Sequence, residues 1–364
     1  PAMTPPNPGD APVAAAPPLV LAREDPALAA RVVRRTPLHY RDGADAALDR
    51  PGHVRAGSSL ARVGDRLVVV QDDANFLAVV DPATGLAEAV PLPVGEGGLR
   101  QFDATRGNKA HKLDLEACVM LDAPGAPDEA GWLLAFGSGS TARRERVLVV
   151  AVGDGRVDAA QVRLVEAPAL YAALRAAGAF AGAELNVEGA VRMRHPGGER
   201  VRLFGRGNGA SRDGVAARDA TCDLDAAALL AHLVDGAPPP PVRDVVQYDL
   251  GLLDGCRLGF TDAAALHGAH EGTLVFCAAA EDSPNAVDDG AVAGSVLGLL
   301  DAAGARWAPI ADATGAEAPT AKVEGVLAAT PDGTRLWVVT DVDDPDTPAE
   351  LWDVELDHRL PSIR

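Results

Sequence analysis

The stretch "KVEGVLAATPDGTRLWVVT", residues 322–340, holds two short apolar runs that meet at Pro331-Asp332-Gly333. Two such runs on either side of a Pro-Asp-Gly turn read as a β-hairpin. The first run is small and Gly/Ala-rich, and it carries a glutamate, Glu324, where a buried strand rarely holds a carboxylate. The same form recurs in "SSLARVGDRLVVV" (58–70), "DLEACVMLDAPGAPDEAGWLLAFG" (114–137), "NVEGAVRMRHPGGERVRLFG" (186–205) and "GFTDAAALHGAHEGTLVFCAA" (259–279). Aligned on their second strands, the five segments place Ser59, Glu116, Glu188, Thr261 and Glu324 at equivalent positions, 57, 72, 73 and 63 residues apart.

Between these anchors the chain alternates short strands with turns. "RLVVVQDDANFLAVVDPATGLAEAVPL" (66–92) reads as three strands separated by an Asp/Asn turn and a Pro/Gly turn. Helix signals are confined to 170–180 and to 223–236, where Asp223 or Asp225 opens and Gly236 closes the pattern. Repeats of roughly four strands each, arranged radially, make a β-propeller. The expected fold is therefore all-β, a five-bladed propeller. A six-bladed ring is the alternative, with the extra blade in 34–57 or 206–258. "RVVRRTPLHY" (31–40) is expected to pair with "ELWDVEL" (350–356) and so to close the ring without a free edge.

Composition bounds the function. The 364 residues are 48% apolar, enough for a large core, and no apolar run reaches the length of a membrane span. A formal net charge of −19 argues against a nucleic-acid binder, which needs a basic face. Cys118, Cys222, Cys256 and Cys277 show no CxxC spacing, so neither a zinc site nor a disulfide framework is expected. Residues 1–28, rich in Pro and Ala, read as a flexible tail ahead of a single domain over 29–364. They lack the basic and apolar regions of a signal peptide, which gives a cytoplasmic expectation, or a periplasmic or secreted one if an export signal lies upstream of Pro1.

If the five Gly/Ala-rich strands line a central channel, Ser59, Glu116, Glu188, Thr261 and Glu324 face one another there. Asp262 joins them if the phase of that strand is off by one. Converging carboxylates raise each other's pKa and repel. A hard divalent cation relieves this, and calcium takes just such carboxylate, hydroxyl and water oxygens. The competing reading is a buried ion-pair network without metal, with Lys112 and Lys322 as partners. Those two and Lys109 are the only lysines, against 30 arginines.

The order Ser, Glu, Glu, Thr, Glu on successive inner strands resembles the calcium-activated nucleotidases, five-bladed propellers with a calcium in the channel. "SSLARVGDRLVVVQDDANFLAVVD", "GFTDAAALHGAHEGTLVF" and "KVEGV" are the similar stretches, while "LDLEA" and "VEGA" are similar to the esterase-like phytase propellers. Over residues 55–345 the chain resembles most an uncharacterised bacterial propeller family. The resemblance implies the fold and the ion, carried by Ser59, Glu116, Glu188, Thr261 and Glu324. It does not carry an activity.

"RGN" occurs at 106–108 and again at 206–208. Arg106, Asn108, Lys109, His111, Lys112, Arg206 and Asn208 are the donor types that suit an oxyanion. They are expected either to form an anion-binding mouth or to pair locally with acids. "FGSGS" (136–140) lacks the strand–helix setting of a dinucleotide site. Together these readings predict a propeller with a channel cation (calcium) and a loop mouth for a small anionic ligand. The alternative is a calcium-dependent phosphohydrolase, nucleotidase-like or phytase-like.

Overall fold

The computed structural model describes residues 16–122, 130–208, 211–212, 214–283, 285, 290–314 and 321–358. Short antiparallel strands fill it, and they fall into five four-stranded units. Sheet I is Gly57–Val63, Arg66–Gln71, Phe76–Val80 and Leu86–Pro91. Sheet II is Leu115–Asp122, Gly131–Gly137, Arg146–Gly153 and Arg156–Glu166. Sheet III is Val187–His195, Gly198–Gly205, Asp219–Asp225 and Arg243–Asp249. Sheet IV is Cys256–Ala265, Leu274–Glu281, Val292–Asp301 and Gly304–Ala311. Sheet V takes Lys322–Ala328, Arg335–Asp341 and Glu350–His358 from the C-terminal end, and Leu28–Pro37 from the N-terminal end. The expected pairing of the two chain ends is present, antiparallel from Glu350 with Pro37 to His358 with Leu28.

Burial explains why the inner strands are so plain. Each sheet is apolar on both faces and packs on its neighbours in order. Val68 and Val70 of sheet I meet Leu133 and Val150 of sheet II. Phe136 meets Leu203 between sheets II and III, and Phe204 packs edge-on to Phe260 between III and IV. Val275 and Leu297 meet Val338 and Trp352 between IV and V, and Val339 of sheet V meets Leu60 and Val69 of sheet I. The first strand of each sheet lies against the first strands of the sheets on either side. The segments 34–57 and 206–258 form no sheet of their own among the described residues; Asp219–Asp225 and Arg243–Asp249 belong to sheet III.

The tail expectation is corrected from Leu19 onward. Leu19–Leu21 pairs parallel with Gln247–Asp249 of sheet III, and Arg23–Glu24 pairs parallel with Arg306–Trp307 of sheet IV. Ala30 and Arg31 then meet Ile310 and Ala311, and His39–Tyr40 meets Leu86 and Ala87 of sheet I. The N-terminal segment thus runs along the outer edges of several sheets, supplying backbone partners that its Pro/Ala-rich composition gave no hint of. Residues 1–15 lie outside the described residues. The two expected helices are Pro168–Ala176, followed by the short Gly178–Ala181, and Ala226–Asp235. Asp225 caps the last by accepting from Ala228 N at 2.8 Å, and Gly236 ends it in the left-handed region, φ 72°.

Candidate functional site

One local feature sets the site. In every first strand the register with the second strand slips by one residue, at Ser58, Glu116, Glu188, Thr261 and Glu324. These are β-bulges at equivalent places in all five sheets, and a bulge re-aims the unpaired residue. Four of the five bulged residues, Ser58, Glu116, Glu188 and Glu324, line a single cavity of about 40 Å³.

The bulge also accounts for the two residues that the alignment misplaced. Ser59 pairs with Val70, one step past the bulge, and Ser58 is the true equivalent of Glu116. Ser59 Oγ donates to Asp262 Oδ2 at 3.1 Å and accepts from Cys118 N, also at 3.1 Å. Thr261 is bulged, yet its Oγ1 donates to Val323 O at 2.7 Å and does not line the cavity. Asp262 sits one layer deeper, 1% exposed, accepting from Val326 N and Ala263 N. The layer fits because glycine stands opposite: a Cβ on Gly189 would come 3.2 Å from Asp262 Cα.

The rest of the chamber wall comes from positions that hydrophobic alternation does not mark. Asp114, Asn186 and Lys322 stand two residues ahead of three of the bulges. Asp72, Arg206 and Asp341 stand at or just beyond the ends of second strands, and all six line the cavity. Glu281 ends the second strand of sheet IV, and Arg144 follows the second strand of sheet II in a short turn.

Seven carboxylates therefore face four cations. Lys112 Nζ is 2.5 Å from Asp72 Oδ2 and 2.7 Å from Asp114 Oδ1. Arg144 holds the other Asp114 oxygen at 2.8 Å, and Ser138 Oγ donates to it as well. Across the chamber Arg206 pairs with Glu281 at 2.7 Å and lies 3.8 Å from Glu188, to which Asn186 donates at 2.6 Å. Lys322 pairs with Glu324 at 2.9 Å and Glu281 at 3.4 Å. Glu116 alone among these carboxylates has neither a hydrogen bond nor an ion pair among the described residues.

The electrostatics follow this distribution. Burial, then Asp114, Asp72 and Glu188, push the Glu116 carboxyl well above the usual range, with Lys112 opposing. Burial, opposed by Arg206 and reinforced by Glu324, carries Glu188 to about 8. Asp341 is also pushed well up, by burial and then by Asp72 and Asp343. Burial acts against Glu281 too, but Arg206 and Lys322 outweigh it and hold that carboxyl at about 2. The unbalanced side is that of sheets I and II, where oxygens of Asp72, Asp114 and Glu116 lie within 4.8 Å of one another. An all-oxygen cluster of this kind suits a hard cation.

The expected anion mouth is not brought together as one surface. Lys112, Arg206 and Asn208 line the chamber. The 106–111 loop instead folds on itself and its neighbours. Arg106 pairs with Asp49 at 3.0 Å, Asn108 bridges Asp103 N and Gln101 O, and His111 Nδ1 is 2.6 Å from Glu96. Lys109 lines an adjoining cavity beside Arg55, Asp73 and Asp103. The loop acids Asp49, Glu96 and Asp103 are close enough in sequence and space to satisfy it locally.

The signature of a family of unknown function, DUF6929, matches residues 53–356. The chain belongs to the DUF6929 family. All the chamber residues fall inside the DUF6929 match, and the strap over sheets III and IV falls outside it. No curated protein matches the chain. Among solved structures it is similar to glutaminyl cyclase of Myxococcus xanthus, 13% identical, TM-score 0.40, covering 94% of this chain and 98% of that one. It is also similar to the mannose phosphorylase MPT-4 of Leishmania mexicana, 13% identical, TM-score 0.41, covering 89% and 88%. A third is the α-L-arabinofuranosidase Arb93A of Fusarium graminearum, 9% identical, TM-score 0.38, covering 89% and 98%. Likeness this loose transfers no activity, and the DUF6929 assignment itself supplies none.

Proposed function

We propose that the five sheets are the blades of a five-bladed β-propeller, closed where Glu350–His358 pairs with Leu28–Pro37. We further propose that the chain is a binding protein whose central chamber holds a divalent cation on Asp72, Asp114 and Glu116. The observation that carries the reading is Glu116: a bulged carboxylate without a partner, beside two more carboxylates, in a chamber where acids outnumber cations. Ring closure is supported by the pairing of the chain ends and by the packing of sheet V on sheet I.

Calcium is the cation that the donor set favours, because all the donors are hard oxygens and calcium tolerates irregular coordination. A chamber of about 40 Å³ has room for an ion with a water or two. Its cations are already engaged by Asp72, Asp114, Glu188, Glu281 and Glu324, which leaves none of them to clamp a phosphate. That favours a bound ion that organises the channel over a phosphohydrolase. Bound metal is expected in purified protein, and calcium is expected to raise the melting temperature by mass action while a chelator lowers it. Metal-free protein whose melting temperature ignores both additions would refute the reading. Calcium-dependent phosphate release from nucleotides or phosphoesters would show instead that the hydrolase alternative holds.

A further inference from the structure

The next inference rests on the cation reading of the chamber and concerns what an ion must do to enter it. Lys112 is 6% exposed, and its Nζ already stands between Asp72 and Asp114, at 2.5 and 2.7 Å. Those are two of the three carboxylates that make the oxygen cluster. A lysine ammonium is a compact point charge with three donors on a flexible stem, so it can serve as a tethered ion where a guanidinium would span too far. The chain uses lysine in only three places, and this is one of them.

The geometry also provides somewhere for the ammonium to go. Lys112, Asp72 and Asp341 line both the chamber and a second cavity of about 150 Å³, which also carries Asp73, Asp103, Asp343 and Asp344, with Arg55 paired to Asp73 and Asp103 and Lys109 beside them. Its six carboxylates outnumber Arg55 and Lys109, so it offers an ammonium an acidic wall in place of the one it would leave.

We propose that Lys112 is a built-in competitor for the chamber cation. A divalent ion binds Asp72, Asp114 and Glu116 by displacing the Lys112 ammonium into the neighbouring acidic cavity. The exchange selects for charge: a monovalent ion offers the carboxylates no more than the ammonium already does, whereas a divalent ion also satisfies Glu116. Lys112 is thus the residue that sets the affinity and valence selectivity of the site.

Two measurements test this. In wild-type protein, an amine-reactive label read by mass spectrometry reports on Lys109, Lys112 and Lys322 separately. Labelling of Lys112 is expected to rise several-fold when calcium replaces chelator, with Lys322 unchanged. In Lys112→Met, calorimetric titration with calcium is expected to show affinity tighter by roughly tenfold or more, since one competing positive charge is gone. Calcium binding equal or weaker in the variant, or Lys112 labelling indifferent to bound calcium, overturns the competitor role and leaves the cation site standing. No calcium binding by either protein overturns both. If the variant does not fold, the labelling of the wild type decides.

Discussion

Replacing Glu116 by Gln keeps the shape of the side chain and removes a charge that Lys112 offsets only in part. At an effective dielectric of about 20, two unit charges at the 4.8 Å limit of the cluster repel by about 3.5 kcal/mol. Asp72 and Asp114 each contribute a repulsion of that order, and Lys112 offsets a comparable part. A net relief of about 1–3 kcal/mol on removing the charge is the reasonable expectation. Its pH dependence has a definite sign. Burial, Asp114, Asp72 and Glu188 raise the folded-state pKa of Glu116. Wild-type stability is therefore whole below the unfolded-state value, about 4.3, and declines as pH rises toward the folded-state value. Glu116→Gln escapes that decline. In chelator, urea unfolding at a series of pH values should find the two proteins alike near pH 4 and the variant more stable by pH 8. With calcium present the order should reverse, because the wild type gains ligand stabilisation that the variant forgoes. A variant less stable than wild type in chelator at pH 8, or a gap that ignores pH, would refute the charge argument.

Arg206→Met removes the nearer cation of Glu281 and the guanidinium beside Glu188, leaving only Lys322 near Glu281, and should cost about 3 kcal/mol near neutral pH. Because Glu281 is held down at about 2, that stabilisation is present above the unfolded-state carboxylate range, so the loss should shrink as pH falls toward 2 in unfolding titrations. Gly325→Ala puts a Cβ 2.7 Å from Leu60 Cδ2 and Val339 Cγ1 and 3.0 Å from Ser59 Cα, where the first strands of sheets V and I pack on each other. It should cost about 1–3 kcal/mol by denaturant unfolding. Asp225→Ala removes the cap of the Ala226–Asp235 helix and should lower stability by about 1 kcal/mol, seen as a shifted urea midpoint with calcium binding intact.

Strand alternation and turn chemistry made the sheets legible. Hairpins such as 322–340 announce themselves because Pro-Asp-Gly and paired apolar runs leave few alternatives, and the recurrence of a glutamate in a small-residue strand pointed to the chamber. Glu116, Glu188 and Glu324 do converge there. What period-2 reasoning cannot see is a bulge. One extra residue shifts everything beyond it, so Ser58 took the place expected for Ser59. Bulging does not by itself fix a rotamer, and Thr261 turned to a backbone carbonyl. Asp72 and Asp341 open the stretches "DDAN" (72–75) and "DVDDPDTPAE" (341–350), which read as acidic turns suited at most to a weak surface calcium, and Asp114 sits just ahead of its strand; their position at strand ends hides that they face the chamber. The 106–111 loop shows the converse: Arg106 looks like part of a site yet pairs with Asp49 and Asp103, and His111 lies against Glu96. The strap at Leu19–Glu24 is held by backbone pairing, which leaves no side-chain signature.

The most direct test of the central claim is an anomalous difference map from a crystal grown with calcium. The account predicts a peak in the channel with oxygens of Asp72, Asp114 and Glu116 at about 2.3–2.6 Å, and Lys112 Nζ moved away from it. A chamber without a peak, with Lys112 still seated between Asp72 and Asp114 at saturating calcium, would contradict it.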